Sequence, residues 1–341
     1  MKKAIIYTLW ASLFLVFSCS VKRNHKNESL TYLERLESLA DSIKVDNIVV
    51  LNLFKYQILA HKYPDFDSLM IVEKVYNPHK ALWDNCYGMI FGQENSKKFN
   101  NPEGMIAWNK TLYPENKEYF DNRAIALLNI NLDSVLETNL NKFNKLVPYK
   151  PGARISILFT PIQGIGFGGC TNDQFCFELN NADYDVTYTI ENVIPHELNH
   201  LAYDPLRTND PMKNSALRQT IDEGFACYFS WIFFDKKIPK YEVVENMTAA
   251  DWNWYIENEK EIYQQTKKYF NDESGDNPLL RNDKFKLFPD APKTLNYWLG
   301  FRIIEKYVEK NGSETWKDIY VINVQDVLNR SDYEKYINEL D

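Results

Sequence analysis

The sequence predicts an α+β fold, mainly helical, with a small β-sheet packed against one apolar helix. Three observations carry this. Apolar residues recur at helical spacing through much of the chain, as at positions 30, 33, 36, 39 and 43. One short region, Arg154–Thr160 (RISILFT), reads as a strand, followed by a glycine-rich loop and a second strand candidate at Gln174–Leu179. The stretch around His196-Glu197-Leu198-Asn199-His200 is uncharged apart from Glu197, as a helix pressed against a core requires.

In chain order, Met1–Cys19 has the form of a secretory signal. Lys2 and Lys3 make a positive start, and Ala4–Phe17 is an apolar run broken only by Thr8 and Ser12, too short to span a bilayer comfortably. Small Ser18 before Cys19 resembles a bacterial lipoprotein box, with Cys19 the residue to be lipidated, although Phe17 is bulky for that position. The expected organisation is a signal peptide over 1–18, a polar lipid-anchored tether over 19–29, an N-terminal helical support region over 30–150 and the site-bearing region over 151–341. Within the support region, Leu30–Ile43, Val49–Tyr63, Ser68–Tyr76 and Leu132–Leu146 read as helices. Gln163–Gly169 (QGIGFGG) is a flexible loop and no phosphate cradle, because it lacks the Gly-Lys-Ser/Thr ending. Ser215–Phe234 and Thr294–Glu309 read as helices, as does Ala249–Phe270. Asn271–Pro292 reads as a long loop able to cover a cleft, and Ser331–Leu340 as a capped terminal helix.

Composition narrows the class. About 320 residues beyond the signal, 45% hydrophobic and 15% aromatic, are enough for a large core. A net charge of −8 argues against nucleic acid or an anionic membrane as the main partner. Cys86, Cys170, Cys176 and Cys227 remain after Cys19. Cys170 and Cys176 are spaced to pair as a disulfide across a short loop, with unpaired buried thiols as the alternative.

The chemistry is concentrated in H-E-x-x-H. Positions four apart share one helix face, so His196 and His200 can direct their imidazoles at one Zn2+, with Glu197 beside them as general base to a bound water. No histidine follows His200. Asp204 is excluded as third ligand, since i, i+4 and i+8 span about 12 Å of helix. Glu223, on the next apolar helix, is preferred, with Cys227 one turn further on as its rival. The Thr294–Glu309 helix carries Tyr297 and Arg302, and a phenol or guanidinium brought near the zinc would stabilise an oxyanion. Tyr297 is the candidate, with a buried packing tyrosine as the alternative, and Tyr203 is the second choice.

With these residues in view, HELNH followed by Glu223 inside DEGFACYF resembles the gluzincin type of zinc peptidase. More narrowly it resembles a family of predicted Zn-dependent proteases of the bacterial envelope, to which gliding-motility lipoproteins are related. The similarity runs from Arg154 to Tyr333 and includes Tyr297-Trp298-Leu299-Gly300. It implies a zinc-peptidase-like fold, a peptide or protein substrate paired with an edge strand near the site, and lipid anchoring to a membrane facing periplasm or cell surface. Pro195 departs from the family pattern, so the helix either begins there or is kinked there. The expected function is a zinc metallopeptidase of the cell envelope. The alternative is a non-catalytic envelope scaffold, in gliding or secretion machinery, that retains the fold.

Overall fold

The computed structural model describes residues 30–171, 174–292 and 294–340. The expected signal segment, the lipidation at Cys19 and the tether lie outside these residues. Five strands form one mixed sheet in the order β1-β2-β3-β5-β4: β1 (Ser42–Val45), β2 (Ile48–Asn52), β3 (Ala153–Leu158), β4 (Phe167–Thr171) and β5 (Gln174–Glu178). β1 and β2 make a hairpin whose two turn residues are Asp46, at φ 51°, and Asn47. β2 and β3 are parallel, as are β3 and β5, while β4 runs antiparallel along β5 at the edge.

Two elements of the N-terminal region differ from the sequence expectation. The helix at Leu30–Ile43 is confined to α1 (Tyr32–Ser38), and Val49–Tyr63 begins as strand β2 before turning into α2 (Leu53–Leu59). A short continuous apolar run does not by itself distinguish a buried strand from a buried helix. Here β-branched Ile48, Val49 and Val50 find ladder partners on both sides, which decides for the strand. The 30–150 region therefore supplies two strands as well as helical support.

Alternation along the strands divides the sheet between two cores. Ile48, Val50, Ile157, Phe175 and Phe177 enter the larger core, where they meet α3 (Leu132–Leu146) and α4 (Ile194–Tyr203) through Leu132, Leu136 and Ile194. Leu51, Leu158 and Cys176 enter a smaller core with Trp83, Tyr87, Phe91 and Trp108. The sheet is thus the middle layer. Gln57 of α2 extends the ladder past β3: its amide donates to the Phe159 carbonyl at 3.0 Å, and its oxygen accepts the Phe159 N–H at 2.8 Å.

Alternation also decides the cysteines. Cys176 is buried in the smaller core as a free thiol, whereas Cys86 is disulfide-bonded. The expected Cys170–Cys176 bridge is therefore not formed. The register sets Gly168 opposite Cys176, and the β4/β5 pairing is irregular between Gly169 and Thr171.

The rest of the larger core is built on α5 (Ala216–Phe233) and α6 (Leu295–Asn311). Ser215 caps α5 by accepting the Arg218 N–H at 3.1 Å. The two helices cross backbone to backbone at Gly224 and Gly300, where a Cβ on either would overlap the other's main chain. Ala249–Phe270 is not one helix but is broken at Asn258 into Ala249–Glu257 and Glu259–Thr266, with a 3-10 turn following. Among the described residues no helix is long and apolar enough to cross a membrane.

Candidate metal centre

A π-helical turn at Thr189–Val193 feeds directly into α4, which places Pro195 in the first turn of the helix. That position needs no N–H donor, so the proline fits there. His196 and His200 then lie one turn apart on the face turned toward α5. Their Nε2 atoms are 3.1 Å apart, and Glu223 Oε2 stands 3.3 Å from His196 Nε2 and 3.2 Å from His200 Nε2.

This triangle can be tested against a metal. Tetrahedral coordination with bonds of about 2.0–2.1 Å separates ligand atoms by about 3.3 Å. The donor set of two imidazoles and one carboxylate, at 3.1–3.3 Å, fits a zinc-sized ion. Cys227 does not point at the triangle: its Sγ is 3.8 Å from His196 Nδ1, the other ring nitrogen. The carboxylate and the imidazoles shift one another strongly. Burial alone would lower the His200 pKa, but Glu223 outweighs it and raises His200 to about 10. Glu223, which burial would raise, is held well below the carboxylate range by His200 and His196. The lone pairs that share a proton here are the ones a divalent cation takes.

Around the triangle lies a cleft of about 690 Å3. Glu197 and Tyr297 both line it, and burial raises the Glu197 carboxyl to about 8. The Tyr297 ring lies nearly parallel to that of His196, at 6.2 Å between centroids. The Gly224–Gly300 crossing explains this placement: Glu223 immediately precedes one glycine, and Tyr297 lies one turn before the other. On the opposite rim, Phe167, Gly168 and Gly169 of edge strand β4 face the cleft. The glycine-rich loop leading into β4 is held from below by Glu178. This buried carboxylate accepts N–H bonds from Gly164, Ile165 and Gly166 at 2.9–3.1 Å, and the Tyr87 hydroxyl at 3.2 Å.

Two residues considered from the sequence lie elsewhere. Tyr203 is fully buried against Phe225 and Tyr320, and Arg302 is committed to a buried ion network. Its Nε donates to Glu259 at 2.8 Å and its Nη1 pairs with Glu305. Each points into the core rather than the cleft. Sequence reasoning missed Asp222 and set Asp204 aside on its spacing along the helix. Asp222 and Asp204 lie within 4.8 Å of the ligand atom of His200, and Arg218 bridges the two carboxylates. The acidic residue preceding Glu223 was the available signal, but its role depends on an arginine four residues earlier that only the helix brings round. Glu178 gave no signal, because a carboxylate at a strand end is ordinarily solvated.

Residues 181–335 match the family model described as gliding motility protein GldB, a lipoprotein family. No curated protein and no solved structure shows a significant match. The matched segment begins just after β5 and contains α4, α5 and α6, so the chain is similar to gliding-motility lipoproteins across the part that holds His196, His200 and Glu223.

Proposed function

We propose that this protein is an envelope lipoprotein of the gliding-motility class whose C-terminal helical unit holds one zinc ion through His196, His200 and Glu223. The observation that carries the reading is that the family match, residues 181–335, encloses the whole converging donor set. Lipidation at Cys19 would anchor the chain, in keeping with the lipoprotein character of the matched family. The disulfide at Cys86 also suits an oxidising compartment beyond the inner membrane. Metal analysis of the purified protein tests the centre. One zinc per chain is expected, lost in His196→Ala and His200→Ala and weakened in Glu223→Gln. Wild-type protein that takes up no zinc overturns it.

A second reading, peptide hydrolysis, is favoured by Glu197 and Tyr297 lining the same cleft as the donor set. A bound zinc would supply Lewis acidity and a water of lowered pKa. Glu197 would accept that water's proton and deliver it to the leaving amine. Tyr297 would donate a hydrogen bond to the substrate carbonyl oxygen, and the free edge of β4 would pair with an extended peptide. Glu197→Gln separates the two readings, because it retains size and zinc but cannot take a proton. If the protein is a peptidase, turnover of a peptide mixture read by mass spectrometry falls by roughly 10²–10⁴. If it is a scaffold, the variant fully rescues a deletion strain.

A further inference from the structure

A second cavity, of about 400 Å3, adjoins the metal cleft, and Tyr184, Val193, His196 and Glu245 line both. Its wall is apolar where Tyr188, Phe234 and Ile238 face it. Its charges are of one sign: Asp183, Asp185, Glu242 and Glu245 line it, with no lysine or arginine. The carboxylates and the wall share one space. The Tyr188 phenol is raised first by burial and then by Glu242 and Glu245.

Acidic residues around a hollow do not make a site, but Ser230 adds an independent observation. It lines the same cavity, is 4% exposed, and its hydroxyl has no hydrogen-bond partner among the described residues. A serine inside a helix ordinarily bonds the carbonyl one turn back. Ser230 does not, so a buried polar atom stands unpaired at the wall of a pocket whose other lining is apolar, acidic or neutral-polar, with Thr189, Asn192 and Asn246 among it. It also lies on the same face of α5 as Glu223 and Cys227, which places it roughly 10 Å along the helix from the metal ligand. Three residues of extended polypeptide cover that distance.

We propose that this cavity is a binding site for a basic side chain, lysine or arginine, of an extended polypeptide whose backbone lies across the metal cleft. The aliphatic stem packs against Tyr188, Phe234 and Ile238. The cationic head meets the four carboxylates and donates to Ser230 Oγ. An uncharged apolar chain would desolvate the carboxylates and leave the hydroxyl unpaired, and an acidic chain would be repelled. The inference goes beyond the functional reading above, since it holds for a docked partner and for a substrate alike.

Binding of acetylated, amidated pentapeptides, Ala-Ala-Xaa-Ala-Ala, to the full-length protein in detergent tests it. Isothermal titration calorimetry with chelator present makes the outcome independent of whether the protein holds zinc. Lysine and arginine at the central position are expected to bind at least tenfold more tightly than norleucine or glutamate, and the preference should fall as salt rises. The double variant Asp183→Asn/Glu242→Gln, at exposed or half-buried positions, should reduce the preference below threefold. Ser230→Leu should fill the pocket and abolish it. Equal binding of the lysine and norleucine peptides, no measurable binding of any peptide, or a preference that survives both variants overturns the proposal.

Discussion

Replacing Gly300 by alanine tests whether the proposed metal centre depends on how closely α5 and α6 approach. A Cβ at Gly300 would overlap the Thr220 carbonyl oxygen and stand 2.9 Å from Gly224 Cα, where ordinary contact begins at 3.4 Å. All these neighbours are backbone, so no side chain can swing aside. The helices must part by on the order of 1 Å, and overpacking of this kind costs about 3 kcal/mol, the upper end of its usual range. The same movement carries Glu223, next to Gly224, away from the histidines and Tyr297 away from the cleft. A carboxylate displaced by that much cannot keep a bond of about 2.0–2.2 Å without rebuilding its rotamer, so zinc affinity should fall at least tenfold, or about 1.4 kcal/mol. Urea unfolding measures the first effect and chelator competition the second. Gly88→Ala is the control, because the nearest atom to a Cβ there is the Trp83 carbonyl oxygen at 3.6 Å, and it should be neutral. If Gly300→Ala matches wild type within about 0.5 kcal/mol and holds zinc equally well, the close crossing does not set the ligand geometry.

Other substitutions probe separate parts of the argument. Cys227→Ser should leave zinc stoichiometry unchanged, since Sγ faces His196 Nδ1 rather than Nε2, and loss of zinc would make Cys227 a ligand. Glu178→Gln should cost about 2–3 kcal/mol in denaturant unfolding, because its NH2 group would confront loop N–H donors that now meet a carboxylate oxygen. Unchanged stability would mean the glycine-rich loop is held by other means. Arg302→Met should destabilise by about 3–5 kcal/mol, leaving Glu259 buried without its cation, while Glu305 keeps its pair with Lys240. Folded Arg302→Met should still bind one zinc per chain, and failure to do so would return Arg302 to the metal centre.

Legibility followed the range of the interactions. Leu132–Leu146 was readable to the residue because its apolar stripe and its Asn131 cap are local. Ala216–Phe233 likewise announced itself through Ser215 and a long apolar face. β2 was misread because Ile48-Val49-Val50 becomes a strand only when β3, about a hundred residues later, pairs with it. The cysteines failed for a related reason. Spacing brought Cys170 and Cys176 near one another in sequence, but the pleat turns Cys176 into a core built from Trp83 and Tyr87, and proximity along the chain does not override that direction.

The same logic explains the uneven reading of the site. His196 and His200 needed only the helical repeat, and Glu223 needed the further fact that two apolar helices pack. Tyr297, the candidate, and Arg302, the guanidinium considered beside it, come from one helix, yet five positions differ by about 140° around the axis, so one cannot face the cleft while the other does. The Gly224–Gly300 contact selects which, because it fixes the face of α6 that meets α5. Arg302 is thereby turned to Glu259, whose carboxylate also accepts the hydroxyls of Tyr333 at 2.7 Å and Tyr336 at 3.1 Å. Had either glycine carried a side chain, the helices would stand further apart and the argument for Tyr297 would fail with them. The two glycines, which carry no functional group, therefore determine which of the α6 side chains faces the cleft.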